Sequence, residues 1–451
     1  MITLVEALNF RCLKYIERPL GPFHVLIGPN ASGKTTFLGV ISFLGDIVSE
    51  GLDAAVDERT KNFQDLVWMR NRDSFELAIE ARIPADRRTQ LGEQHFDTAR
   101  YEIKVGNKNG ETEILAEKVL LKKASLITRK ERTLFPDYIE PPQTILTPKG
   151  RKYGRTVVNK VYGGNDNYYS EVYSEFGKGW APAFKLGTRK SALGNLPEDE
   201  SKFPVATWLK SLLTEGVQQF ILNSMLLRKA SPPGQVRGFK PDGSNLPWVV
   251  TRLREKAPEK FADWIAHLQT ALPDLEDIQT VVREDDKHCY LVLVYRGGLS
   301  VPSWMASDGT LRLLALTLPA YLPDFKGIYL IEEPENGIHP RAVETMFQSL
   351  SSVYNAQILL ATHSPVILSL AEPEKILCFA RTGEGATDIV RGSEHPALKH
   401  WQGETNLGVL FAGVSWDDQG SGGPCGRQKH GVYNQGFVVT PAGAGDTSTI
   451  L

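Results

Sequence analysis

Three apolar runs, each long enough for one strand and each ending in a polar step, organise the chain: His24–Ile27, Ile328–Ile331 and Gln357–Ala361. Continuous apolarity over so few residues predicts strands covered on both faces. Period-two alternation is found instead at Phe75–Ile83 and Arg100–Val105, which predicts half-buried antiparallel strands. Helical spacing of apolar residues returns at Val205–Leu213 and Phe261–Leu268, separated by a Pro- and Gly-rich loop over 231–247. Strands are expected again at Ile278–Arg283 and Tyr290–Tyr295. No sustained heptads appear, which excludes a long coiled-coil rod.

The polar step closing each apolar run carries the chemistry. After the first comes Gly28-Pro-Asn-Ala-Ser-Gly-Lys34-Thr35, which fits G-x-x-x-x-G-K-[ST], and Thr35–Leu38 then open a helix. A glycine loop between strand and helix start offers backbone N–H groups and a helix N-terminus to phosphate oxygens. Asn30, Ala31, Ser32, Gly33, Lys34, Thr35 and Thr36 are therefore expected on a nucleotide, with Lys34 on its β/γ phosphates and the Thr35 hydroxyl on Mg²⁺. The second run ends in Glu332-Glu333-Pro334-Glu335. Carboxylates at the end of a core parallel strand face the ligand crevice. Glu332 is assigned to the metal and Glu333 to the attacking water. His363, after the third run, is placed as γ-phosphate sensor or proton relay.

Together these elements resemble the ABC-type ATPase heads of the RecF, SMC and OLD group, and most closely the stand-alone prokaryotic AAA-family ATPases of antiphage defence loci. Thr3–Arg11 looks like their first strand, with its Asn-Phe-Arg step, which brings Arg11 to the nucleotide. Ser307-Asp308-Gly309-Thr310 is similar to their signature loop. In the family Ser307 and Gly309 would reach the γ-phosphate held by an opposite subunit. Glu332–Pro340 resembles the acidic strand with its D-loop, and Ala361–Pro365 the switch-histidine segment. Gln64 lies where such heads place a magnesium-contacting Gln. Three positions depart from the pattern: Ala31 where Gly or Asn is commoner, Glu332 in place of Asp, and Asp308 in place of a transporter-type Gly. The specific motifs cover about residues 1–45 and 280–400, and Asp242–Pro247 also looks like a segment of these ATPases.

The resemblance implies an α/β fold: a RecA-like core with an antiparallel β-subdomain, plus a mixed insertion and a helical subdomain. Expected boundaries are 1–114 and 278–412 for the two parts of the head, 115–199 for a basic irregular insertion, 200–277 for the helical subdomain and 413–451 for a flexible tail. It also implies ATP and Mg²⁺ as ligands, and a homodimer or higher homo-oligomer formed through the heads. An antiphage sensor controlling a separately encoded effector, a nuclease by preference, is the expected biology. The alternatives are a RecF-like DNA repair ATPase and an ATP-binding scaffold with negligible turnover.

Composition changes little in this picture. With a net charge of −2 over 451 residues, no global field favours nucleic acid. Locally, Lys118, Lys122, Lys123, Arg129, Lys130 and Arg132, then Lys149, Arg151, Lys152, Arg155 and Lys160, are interleaved with Tyr153, Tyr162, Tyr168 and Tyr169. Such a stretch suits either a DNA backbone or a solvated partner surface. Four scattered cysteines (Cys12, Cys289, Cys378, Cys425) lack metal-ligand spacing and are expected reduced, as in the cytoplasm. No basic and apolar leader opens the chain, and no window approaches the ~18 apolar residues of a membrane span. Nor does a D-x-D acidic set come after His363, so no nuclease site of the Toprim kind is expected.

Overall fold

Why the three apolar runs are continuous is answered by their place in a six-stranded sheet. The computed structural model describes residues 1–396 apart from 93–94, 125–133, 149, 173–180 and 237, all within one unit, Met1–Ser415. The predicted tail 413–451, with Cys425, and the basic residues Arg129, Lys130, Arg132 and Lys149 lie outside the described residues. The strand order is β10 (Val217–Phe220), β14 (Gly327–Glu332), β15 (Ala356–Ala361), β3 (Phe23–Ile27), β16 (Ile376–Arg381) and β17 (Thr387–Arg391). All neighbours are parallel except the β16–β17 hairpin.

Both faces of this sheet are covered, so alternate residues serve two different cores. Leu26, Ile328, Leu330, Leu359 and Leu377 pack with helix α1 (Lys34–Ser49) through Phe37, Ile41 and Leu44. Val25, Ile27, Tyr329, Ile331, Ile358 and Leu360 join the opposite core, with Leu253, Trp264, Leu314 and Met346. Because β3, β14 and β15 run in parallel, their C-terminal ends emerge along one edge. The P-loop, the acidic pair and His363 come directly after those ends, so topology alone gathers three distant segments.

A second, antiparallel sheet has the order β2-β1-β4-β5-β6-β7-β8-β9. Its strands are β1 (Ile2–Phe10), β2 (Leu13–Pro19), β4 (Ser74–Arg82), β5 (Thr98–Lys108), β6 (Glu111–Lys122), β7 (Arg155–Val161), β8 (Asp166–Tyr168) and β9 (Ala183–Phe184). Asn109-Gly110 turns β5 into β6, both with positive φ (54° and 84°), as a two-residue hairpin with this twist requires. The expected irregular insertion is thus corrected in part: β6 to β9 extend the β-subdomain sheet.

Four cations of the basic stretch, Lys118, Lys122, Arg155 and Lys160, are engaged internally. Lys122 pairs with Glu80 at 2.6 Å, Lys160 with buried Asp166 at 2.7 Å, and Lys118 with fully buried Glu102 at 3.4 Å. Arg155 donates to the carbonyls of Ser170 and Glu171. Nearby Arg100 bridges Glu6, Glu80 and Glu102 on the same sheet face. Segment 144–147 covers it, with the Ile145 N–H on Glu76 and the Thr147 N–H on Glu102, both at 2.8 Å. A charged layer covered by a polypeptide strap satisfies the charges within it.

The remaining elements form the helical part. They are α2 (Pro204–Thr214), α3 (Leu246–Lys256), α4 (Pro258–Gln269) and a three-stranded sheet of β11 (Leu275–Val282), β12 (Cys289–Tyr295) and β13 (Leu299–Pro302). The sequence pattern misses α3, which opens with Pro247 in its first turn, and β10, whose Val-Gln-Gln-Phe has no readable period. Asn245, fully buried, accepts from the Lys240 N–H and donates to the Gly238 carbonyl, pinning the loop before α3. Among the described residues no helix is long and apolar enough to cross a membrane.

Candidate functional site

The loop after β3 is shaped by what surrounds it. A side chain at Gly28 would place Cβ 2.3 Å from the Phe379 carbonyl, and one at Gly33 would place it 2.3 Å from Thr387 Oγ1. Thr387 reaches back, donating Oγ1 to the Ser32 carbonyl (2.9 Å) and its N–H to the Cys12 carbonyl (2.9 Å). Ala31 sits at φ 61°, left-handed, where an L side chain costs about 1–2 kcal/mol. This strain accounts for the Gly or Asn expected there. Ser32 Oγ is buried without a hydrogen-bond partner, so the cradle holds unmet polar capacity.

Lys34 Nζ donates to the carbonyls of Gly28 (2.7 Å) and Pro29 (3.1 Å), folded over its own loop. Burial pulls its ammonium down to about 8, against the opposing pull of Glu333 and Glu332. A phosphate against Lys34 restores the charged form. The expected sign is therefore proton uptake when ATP binds above pH 8, and none near pH 7, where Lys34 is already protonated. Calorimetry in two buffers of different ionisation enthalpy measures it, and equal heats in both at pH 9 contradict it.

The acidic strand end meets this loop. Thr35 Oγ1 donates to Glu332 Oε2, and Gln219 Nε2 of β10 donates to Glu332 Oε1 at 3.3 Å. Glu333 adopts φ 45°, its N–H on the Ala361 carbonyl (2.8 Å) and its Oε2 accepting from Asn336 Nδ2 (2.5 Å). His363 Nε2 stands 4.0 Å from Glu333 Oε1. Burial first, then Lys34, lowers the His363 pKa, while Glu333 and Glu335 oppose. The imidazole is thus neutral at pH 7. Glu335, given no role from sequence, holds this end in place: Oε1 accepts from Thr362 Oγ1 (2.5 Å) and the His363 N–H (3.1 Å).

Lys34, Thr35, Glu332, Glu333 and His363 line a cleft of about 620 Å³, together with Arg11, Asn30 to Gly33 and Thr36. Two loops missed by sequence reasoning complete the wall: Asp65 to Arg70 without Leu66, and the hairpin turn carrying Arg381 and Glu384. Among the described non-glycine residues with positive φ, Arg11, Ala31, Met69, Arg70 and Glu333 all stand on this cleft, so backbone strain concentrates at it. One expected residue differs. Gln64 does not line the cleft, its Oε1 buried without a partner, and its neighbour Asp65 does.

Ser307 and Gly309 are also apart from it. Ser307 caps helix α5 (Asp308–Thr317) by accepting from the Thr310 N–H, while Arg228 pairs with Asp308 at 2.6 Å. A Cβ at Gly309 would lie 2.4 Å from the Gly337 carbonyl, so the signature helix rests on the loop after the acidic strand.

A family model described as "AAA domain, putative AbiEii toxin, Type IV TA system" matches residues 23–369. The chain belongs to that AAA-domain family. Forty-eight residues are 48% identical to an OLD nuclease of Thermus scotoductus, covering 10% of this chain and 9% of that protein. The match thus spans under a tenth of the nuclease. A crystal structure of the SmcHead bound to the C-winged helix domain of ScpA superposes with a TM-score of 0.51 at 14% identity, covering 86% of this chain and 97% of that one. An Smc head with an extended coiled coil, bound to a ScpA domain derived from Pyrococcus furiosus, gives 0.48 at 12% identity, with coverages of 86% and 95%. The fold is that of an ABC-type P-loop ATPase head, as in the Smc head, and the chain is an ATP-binding ATPase of the AAA-domain family.

Proposed function

We propose that the protein hydrolyses Mg-ATP between two paired heads and acts as the sensor of an antiphage system, controlling a separately encoded effector. The observation that carries the hydrolytic part is the meeting of Thr35 with Glu332 and of Glu333 with His363 at one strand edge. Thr35 Oγ1 and Glu332 are hard oxygen donors in mutual contact, a set that fits Mg²⁺, with Gln219 holding the carboxylate's other oxygen. Mg²⁺, when bound, would neutralise phosphate charge. Lys34 would leave its loop carbonyls for the β/γ phosphates, and P-loop N–H groups would take the remaining oxygens. Glu333 would orient and deprotonate the attacking water, with His363 against the γ-phosphate. Glu335 and Asn336 are positioning residues.

Pairing is supported by Ser307 and Gly309, which serve no wall of their own cleft. The sensor role and effector rest on family likeness alone, because one fold hosts many uses. A DNA-repair ATPase draws less support, since Lys118, Lys122, Arg155 and Lys160 are engaged internally. The test is turnover by the purified chain with and without duplex DNA, alongside incubation of plasmid and RNA with Mg²⁺ or Mn²⁺. The expected result is ATP hydrolysis with intact nucleic acid. Cleavage that survives Lys34→Ala contradicts the sensor reading, and absent turnover favours the scaffold.

A further inference from the structure

On the sheet face opposite α1, a second cavity of about 320 Å³ opens beside the edge strand β10. Its apolar wall is Leu253 of α3 with Phe239, Phe325 and Tyr329, each 5% exposed or less. The Phe325 and Tyr329 rings stack with centroids 3.9 Å apart. We propose that this cavity is a binding site for a small amphipathic anion: a flat apolar body carrying an N–H donor and ending in a phosphate or carboxylate.

The donor is called for by Gln218. Gln218 belongs to the lining of this space, and its Oε1 is buried and accepts no hydrogen bond, a state that costs about 1–3 kcal/mol until a donor arrives. The anion is called for by the rim, where the exposed Lys256 and Lys326 stand beside one acid, Asp324. Size sets the upper limit. The volume lies at the small end of ligand pockets, roughly 300–1,000 Å³, so a mononucleotide or a bicyclic aromatic acid fits and a folded peptide does not.

The site is wired to the catalytic edge by one strand. Gln218 pairs with Tyr329 and faces the cavity, while the next residue, Gln219, faces the other side and holds Glu332. A ligand drawing on Gln218 therefore favours particular positions of β10, and those positions set the Gln219 contact to Glu332. This coupling rests on the ATPase reading. The binding does not.

Calorimetric titration of the full chain bearing Lys34→Ala, which removes the P-loop cation, tests binding with AMP and with N-acetyltryptophan. At least one probe is expected to bind, and Lys256→Glu with Lys326→Glu should weaken it at least about tenfold, a loss the two charged contacts readily supply. Leu253→Trp, filling the space, should do the same. Binding of AMP alone assigns a nucleotide, and of N-acetyltryptophan alone an aromatic acid. No heat from either at millimolar concentration, or binding unmoved by the exposed lysine substitutions, overturns the site.

Discussion

Lys34→Ala is expected to lose ATP binding, with Kd raised at least about 100-fold. Lys34 belongs to the loop that would cradle the β/γ phosphates, and charge-assisted hydrogen bonds contribute about 1.5–3 kcal/mol each. Folding should survive, because Nζ bonds only to two loop carbonyls, Gly28 and Pro29. Their loss exposes polar oxygens to water rather than opening a core. Equilibrium binding of a fluorescent ATP analogue measures the effect, with circular dichroism as the folding control. A Kd within threefold of the parent would remove Lys34 from the phosphates.

Glu333→Gln should separate binding from turnover. The amide keeps the shape and the contact with Asn336 but cannot take a proton, and loss of a general base typically costs 10²–10⁴-fold. ATP affinity should stay near that of the parent, and the ATP-bound pair should persist long enough to appear in size-exclusion chromatography. Turnover at the parental rate would show that Glu333 does not activate the water. Glu332→Gln should behave differently, raising the Mg²⁺ concentration needed for half-maximal turnover.

How much of the fold and site is readable before folding varies for physical reasons. β3, β14 and β15 are legible because strands buried on both faces must be apolar throughout. Their parallel pairing then brings Lys34, Glu332, Glu333 and His363 to one cleft. The insertion hides β6 because its charged residues Lys118 and Lys122 turn onto buried carboxylates, Glu102 and Glu80, and so blur the alternation. β10 is invisible for a related reason: glutamines on both faces of a four-residue edge strand carry no period. Gln64 and Asp65 show the limit of motif placement. A 3₁₀ turn decides which of two neighbours lines the cleft, and one residue's shift changes the answer. The walls at 65–70 and 381–385 are loops whose residues are polar for many reasons, so nothing singles them out.

The central claim, an active site completed by a second copy, is tested most directly by mixing two inactive chains. One carries Lys34→Ala and keeps its Ser307 loop, and the other carries Ser307→Arg and keeps its P-loop. In a mixed pair, one composite site holds an intact Lys34 facing an intact Ser307. Steady-state ATP turnover of the mixture should rise well above that of either variant alone, toward about half the parental rate per mixed pair. A mixture as inactive as its components, with heterodimer formation demonstrated, would contradict the shared site.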